Sequence, residues 1–200
     1  MRLCLSTIAI VLIITVAGFS GVATSDRDAD QYAVYSLLLN QITKSPEDGS
    51  PVKLIVINAR TSIDRQTGYS PTYVFRMYEL TLSPAFQAAL KDCETKNKQP
   101  QTLTRPFNLK SDYLLLESKN FDAFFNDTNV RDNWRSFYRK YPNSPGYITV
   151  SRVGFDSTGT HALLYFEIKC GGLCADGSYQ LLTKENGAWK VTKELSFWAS

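Results

Sequence analysis

Asn186-Gly187 sits between two runs of alternating apolar and polar residues, and that pairing restricts the possible folds more than any other stretch of the chain. A two-residue type I′ turn needs positive φ at both central positions, which asparagine and glycine adopt most readily. The turn sets Glu185 opposite Ala188, and therefore Leu182 opposite Val191. Beyond it Trp189, Val191, Leu195 and Phe197 alternate with Lys190, Thr192, Glu194 and Ser196, which gives a strand with one buried face and one wet face. Three segments upstream, GYITVSRVGF, HALLYFEIK and GSYQLLTK, are rich in the β-branched and aromatic residues of strands. With the final strand they predict a C-terminal four-stranded antiparallel meander.

The preceding residues carry helical spacing. Tyr35, Leu38, Leu39 and Ile42 share one face of a helix that Pro46 and Gly49 end. VKLIVINA, residues 52 to 59, reads as a short buried strand, and TYVFRMYEL after Pro71 as a further one. Ser83-Pro84 starts a helix, because the serine hydroxyl can cap free N–H groups and proline at the first position loses no hydrogen bond. Phe86, Ala89, Leu90 and Cys93 then stack on one face. DYLLLES reads as a strand. Phe121, Phe124 and Phe125 suggest one or two helical turns, and Trp134, Phe137, Tyr138 and Tyr141 a stripe on a helix capped by Asn129 and stopped by Pro142. The predicted class is α+β, with the four-stranded meander packed against amphipathic helices.

The N-terminal stretch MRLCLSTIAIVLIITVAGFSGVATS has one positive residue, Arg2, then an apolar core and a small-residue cleavage site. It predicts a signal peptide over residues 1–25 followed by a single domain over 26–200, exported to a periplasmic or extracellular location. The alternative is an uncleaved anchor, since Leu3 to Ala23 approaches the roughly 20 apolar residues that a bilayer span needs. Only in that case is a membrane a partner. Cleavage removes Arg2 and Cys4 and lowers the formal charge from +3 to about +2, which offers nucleic acid no electrostatic footprint.

SRVGF at Ser151 to Phe155, Cys170, Gly171, Leu173, Cys174, Gly177, Tyr179, and Lys184, Asn186, Gly187 and Trp189 form a pattern. It resembles the tails of a family of uncharacterised exported bacterial proteins, S-R-V-G-F followed by C-G-x-L-C-G-x-G-x-Y and K-x-N-G-x-W. Ala175 stands where that pattern has glycine. The resemblance covers about a third of the chain and implies export and a bacterial origin, without an activity. The final strands are also similar to the ends of cystatin-like and NTF2-like domains, a likeness of fold alone.

The chemistry available is limited. A closed zinc site needs four N or S ligands, and residues 26–200 hold three cysteines and one histidine, so no metal or other cofactor is expected. C-x3-C between strands is not the C-x2-C of thioredoxin-type sites, which sit at a helix N-terminus. His161 alone could complete a histidine-dependent triad, and no G-x-S-x-G elbow precedes a helix. Ser151 and Asp156 read more simply as parts of a strand and its turn. No catalytic residue is assigned. A small exported binding or structural module is therefore expected, with a carboxylate-dependent hydrolase as the rival.

Arg152 is the candidate ligand-binding residue. Alternation puts it on the face of Ile148 and Val150; if that face is the core, Arg152 must be paired or mark a ligand site, and if Val153 and Phe155 form the core it is solvated. Asn126 heads the one glycosylation sequon, NDT.

Three cysteines allow three single pairings. In the chain-entropy model a bridge from Cys93 to the hairpin would contribute about 4.5 kcal/mol, against about 2 kcal/mol for the five-residue Cys170–Cys174 loop. Geometry opposes that preference, because residues flanking a short hairpin loop stand roughly 5.5 Å apart between Cα atoms, within disulfide range. A Cys170–Cys174 disulfide is expected, with Cys93 a free thiol on the apolar stripe of Phe86 and Leu90.

Overall fold

A helix, α1 (Ala23–Leu39), leads to a strand, β1 (Leu54–Asn58), whose residues after Leu54 are all buried. The computed structural model describes residues 23–46, 48–63, 70–125 and 129–200. Most of the expected signal peptide and the Asn126 sequon lie outside the described residues.

Burial of β1 on both faces follows from its place in the sheet. It pairs in parallel with β2 (Asp112–Leu116) on one side and with β3 (Tyr147–Val150) on the other. β3 is antiparallel to β5 (His161–Gly171), which pairs with β6 (Cys174–Glu185), which pairs with β7 (Ala188–Ala199). A two-residue strand, β4 (Gly154–Phe155), occupies the other end of β5. The fold is α+β, but the four-stranded meander expected from the sequence is incomplete. It is the antiparallel half of a seven-stranded mixed sheet ordered β2-β1-β3-β5-β6-β7, with β4 on β5. The physical reason is that β3 buries both faces and needs a partner on each edge; β5 supplies one and the apolar LIVIN strand the other.

GYITVSRVGF also fails to form one strand. β3 and β4 are two successive partners of β5, separated where Ser151, Arg152 and Val153 leave the ladder. There the Ser151 hydroxyl accepts the Tyr165 backbone N–H at 2.8 Å, in place of a strand carbonyl. TYVFRMYEL is helical as well: α2 (Pro71–Met77) starts on Ser70, whose hydroxyl accepts the Tyr73 N–H, with Pro71 in the first turn. The β-branched content of the segment is overridden by this cap and by burial of Val74 and Phe75 on one helical face. α3 (Pro84–Lys96) begins on Ser83 in the same way, and α5 (Val130–Lys140) on Asn129; between them α4 (Ser118–Asp122) carries Phe121.

The helices cover the two sheet faces unequally. Tyr35, Leu38 and Leu39 of α1 pack on Ile55, Ile57, Ile148, Val150 and Leu164 on one face. There α1 is tied to the β6–β7 hairpin, because Asp30 accepts from both Lys184 Nζ (2.6 Å) and Trp189 Nε1 (3.1 Å). On the opposite face are two separate aromatic clusters. α2 and α3 cover Leu163, Tyr165, Tyr179 and Leu181, while α4 and α5 cover Val56, Leu116 and Tyr147. Between them the sheet surface turns polar. Among the described residues no helix is long and apolar enough to cross a membrane.

Candidate functional site

Side-chain alternation brings Asn58 of β1, Thr149 of β3 and Glu167 of β5 to this uncovered strip. Thr149 stands directly opposite Glu167 in the β3–β5 ladder, and Asn58 ends the strand that flanks β3. With Ser62, Ser118, Asp122, Tyr147 and Lys169 they line a cleft of about 230 Å³, at the carboxyl ends of the parallel strands. Parallel strands commonly bind ligands at that end.

Glu167 is 4% exposed, and both of its oxygens are engaged. Lys169 Nζ lies 3.0 Å from Oε1, and the Tyr165 hydroxyl donates to Oε2 at 2.7 Å. Trp198 Nε1 in turn donates to the Tyr165 oxygen at 3.0 Å. Gly177 makes this chain of bonds possible. It faces Glu167 on β6, and a Cβ there would fall on the Trp198 indole nitrogen and the Tyr165 hydroxyl.

Asn58 and Thr149 differ from Glu167. Asn58 is 6% exposed; its Oδ1 accepts from the Arg60 backbone N–H at 3.1 Å and from Ser118 Oγ at 3.4 Å. The backbone donor fixes the amide orientation. The Nδ2 hydrogens then have no hydrogen-bond partner among the described residues. Thr149, also 6% exposed, has no partner for its hydroxyl among them. Tyr147 donates to the Leu116 carbonyl at 3.2 Å. Burial pushes its phenol well above the usual range, opposed by Ser118 and reinforced by Asp122, Glu117 and Glu167, so it stays a donor.

The aromatic groove beside the cleft, about 290 Å³, shares Phe121, Asp122 and Lys169 with it. It continues past Phe125, Trp134 and Trp198 to Gly171 and Gly172. Those glycines lie in the loop closed by Cys170 and Cys174, whose sulfurs are bonded with Cα atoms 5.1 Å apart. Leu173 at its tip is 92% exposed. The Tyr138 hydroxyl donates to the Cys170 carbonyl at 2.8 Å and fastens the loop to α5.

Arg152, the residue singled out from the sequence, is elsewhere. Because the strand breaks at 151–153, Ile148, Val150, Val153 and Phe155 are all buried, and neither alternation argument applies. The Arg152 guanidinium donates to the Lys96 carbonyl at 3.2 Å, at the C-terminus of α3. Its backbone is held by Asn97, which accepts from Arg152 N and donates to Arg152 O. It closes a helix end through that bond, while its Nε is buried with no hydrogen-bond partner among the described residues. Ser151 and Asp156 are also occupied structurally. Burial pushes the Asp156 carboxyl up, but bonds from the Thr158 hydroxyl and the His161 and Thr160 N–H groups outweigh it and hold the carboxyl low.

Cys93 is fully buried, and burial pushes its thiol up to about 12. A thiol so rarely ionised is a poor nucleophile. Native protein is expected to resist iodoacetamide, with Cys93 modified only in denaturant and Cys170–Cys174 recovered as a linked peptide without reduction. Rapid labelling of Cys93 in the native state would contradict its burial.

No protein family matches the chain, and neither a curated protein nor a solved structure is similar to it.

Proposed function

We propose that the protein is a small exported binding module whose ligand seats in the cleft over Asn58, Thr149 and Glu167. The observation that carries this reading is the pair of polar groups, Asn58 Nδ2 and Thr149 Oγ1, that reach the cleft without a hydrogen-bond partner among the described residues. Here both open into one cleft beside a carboxylate held in fixed position, which is the arrangement of a preorganised binding site. Export is supported by the signal-like N-terminus and by the Cys170–Cys174 bridge, which suits an oxidising compartment.

Stability measurements test the reading without knowledge of the ligand. Thr149→Val removes a hydroxyl that serves no internal bond, so its unfolding free energy is expected to stay within about 0.5 kcal/mol of the parent or to rise. Ser151→Ala removes a hydroxyl that does serve one and should cost about 1–3 kcal/mol. If Thr149→Val costs as much as Ser151→Ala, the hydroxyl is structural and the proposed site is lost.

A second reading draws on Asp122, which lines the same cleft as Glu167 and would give a hydrolase its second carboxylate. The bonds to both Glu167 oxygens suit a fixed acceptor better than a group that passes a proton. Nitrophenol release from nitrophenyl glycosides, abolished in both Glu167→Gln and Asp122→Asn, would decide for the hydrolase.

A further inference from the structure

We infer that the ligand is a saccharide of at least two rings, one in the cleft and the next along the aromatic groove. This rests on the cleft being a ligand site.

The cleft presents donors and acceptors together. Asn58 Nδ2 can only donate, the Glu167 carboxylate can only accept, and Thr149 Oγ1 can do either. A hydroxyl also donates and accepts, so neighbouring hydroxyls on one ring can satisfy all three. Ligands of a single charge fit less well. An anion would meet Glu167 and Asp122, and the one ammonium on the wall among the described residues, Lys169, is already paired with Glu167. A cation would meet that same ammonium. An uncharged, hydroxyl-rich ligand meets neither conflict.

Size and lining call for more than one ring. At about 230 Å³ the cleft is smaller than the 300–1,000 Å³ of sites that enclose drug-sized ligands. The adjoining groove adds about 290 Å³. Half-buried Phe125 and Trp198 line it, offering apolar surface to the C–H face of a sugar ring. The far wall is the disulfide-closed loop, tied to α5 through Tyr138, so little ordering is left to be done on binding.

Full-length mature protein would be titrated with glucose, galactose, mannose and N-acetylglucosamine and with trisaccharides of each, followed by amide chemical shifts. At least one trisaccharide is expected to bind at millimolar concentration or below, about tenfold tighter than its monosaccharide, as one further apolar contact would give. Thr149→Val, shown by its stability to be folded, should weaken both about tenfold through loss of one hydrogen bond. Phe125→Ala should erase the trisaccharide's advantage and spare the monosaccharide. The inference is overturned if no saccharide of the panel binds, or if one binds without sensitivity to these substitutions. Triglycine serves as the opposite arm. Its binding, lost in Thr149→Val while saccharides fail, would keep the cleft as a ligand site and remove the saccharide. Failure of the cleft itself appears separately, as a stability loss in Thr149→Val.

Discussion

Gly154→Ala is expected to cost about 3 kcal/mol of stability, the upper part of the range for overpacking a core. β4 crosses α3 with no side chain between the two backbones. A Cβ on Gly154 would fall on the Ala89 carbonyl oxygen and the Cys93 backbone nitrogen, well inside contact distance. Neither atom can turn away as a flexible side chain would, so the helix must shift. That shift would disturb the Asp92 carboxylate that accepts the Phe155 N–H at 2.8 Å and the Asn97 bonds to Arg152. Thermal unfolding would register it as a fall in Tm of roughly 6–12 °C for a domain of this size. Gly172→Ala, whose new Cβ would meet only the Val130 Cγ1 at 3.2 Å, should change little. Equal losses in the two variants would mean that the close crossing of β4 and α3 is not what Gly154 provides.

Tyr165→Phe is the second large effect, at about 2–3 kcal/mol. Removing one oxygen deprives the buried Glu167 carboxylate of a donor and the Trp198 N–H of its acceptor, and each such orphan carries a cost of about 1–3 kcal/mol. The fully buried ring keeps its packing against Tyr179 and Phe197, so the loss measures the hydroxyl alone. A double-mutant cycle with Glu167→Gln isolates the bond between them, with a coupling of about 1–2 kcal/mol expected by urea unfolding. Strict additivity would show that Tyr165 and Glu167 are not joined as described.

The β6–β7 hairpin and two of the helix starts were legible because their determinants are local. Asn186-Gly187 fixed Glu185 against Ala188 and Leu182 against Val191, and the structure has that register. Ser83, Pro84 and Asn129 mark helix starts that form where they stand. Ser70-Pro71 carries the same mark, yet the β-branched residues after it pointed to a strand, and the cap prevailed. The parallel pairing of β1 was not legible, since nothing within LIVIN identifies partners that lie far along the chain. The site divides in the same way. Glu167 and Lys169 stand out as charges on an otherwise apolar strand, HALLYFEIK, and that contrast could have drawn attention to them. Asn58 and Thr149 carry no such mark, because only sheet pairing brings β1 and β3 beside Glu167. Arg152 drew attention through an alternation that the break at 151–153 cancels.

The central position of β1 also governs the order in which the chain can fold. LIVIN emerges during synthesis well before either of its neighbours, whereas the β5–β6 and β6–β7 hairpins close over short loops soon after they are made. Local closure is fast and long-range parallel pairing slow, so the hairpins should form early and provide the edge onto which β3, then β1, docks. Until then an apolar, β-prone segment is left open to other chains, the condition under which strands aggregate. For a protein exported as proposed, that interval is when a chaperone would be needed, and residues 54–58 are the segment it would have to cover.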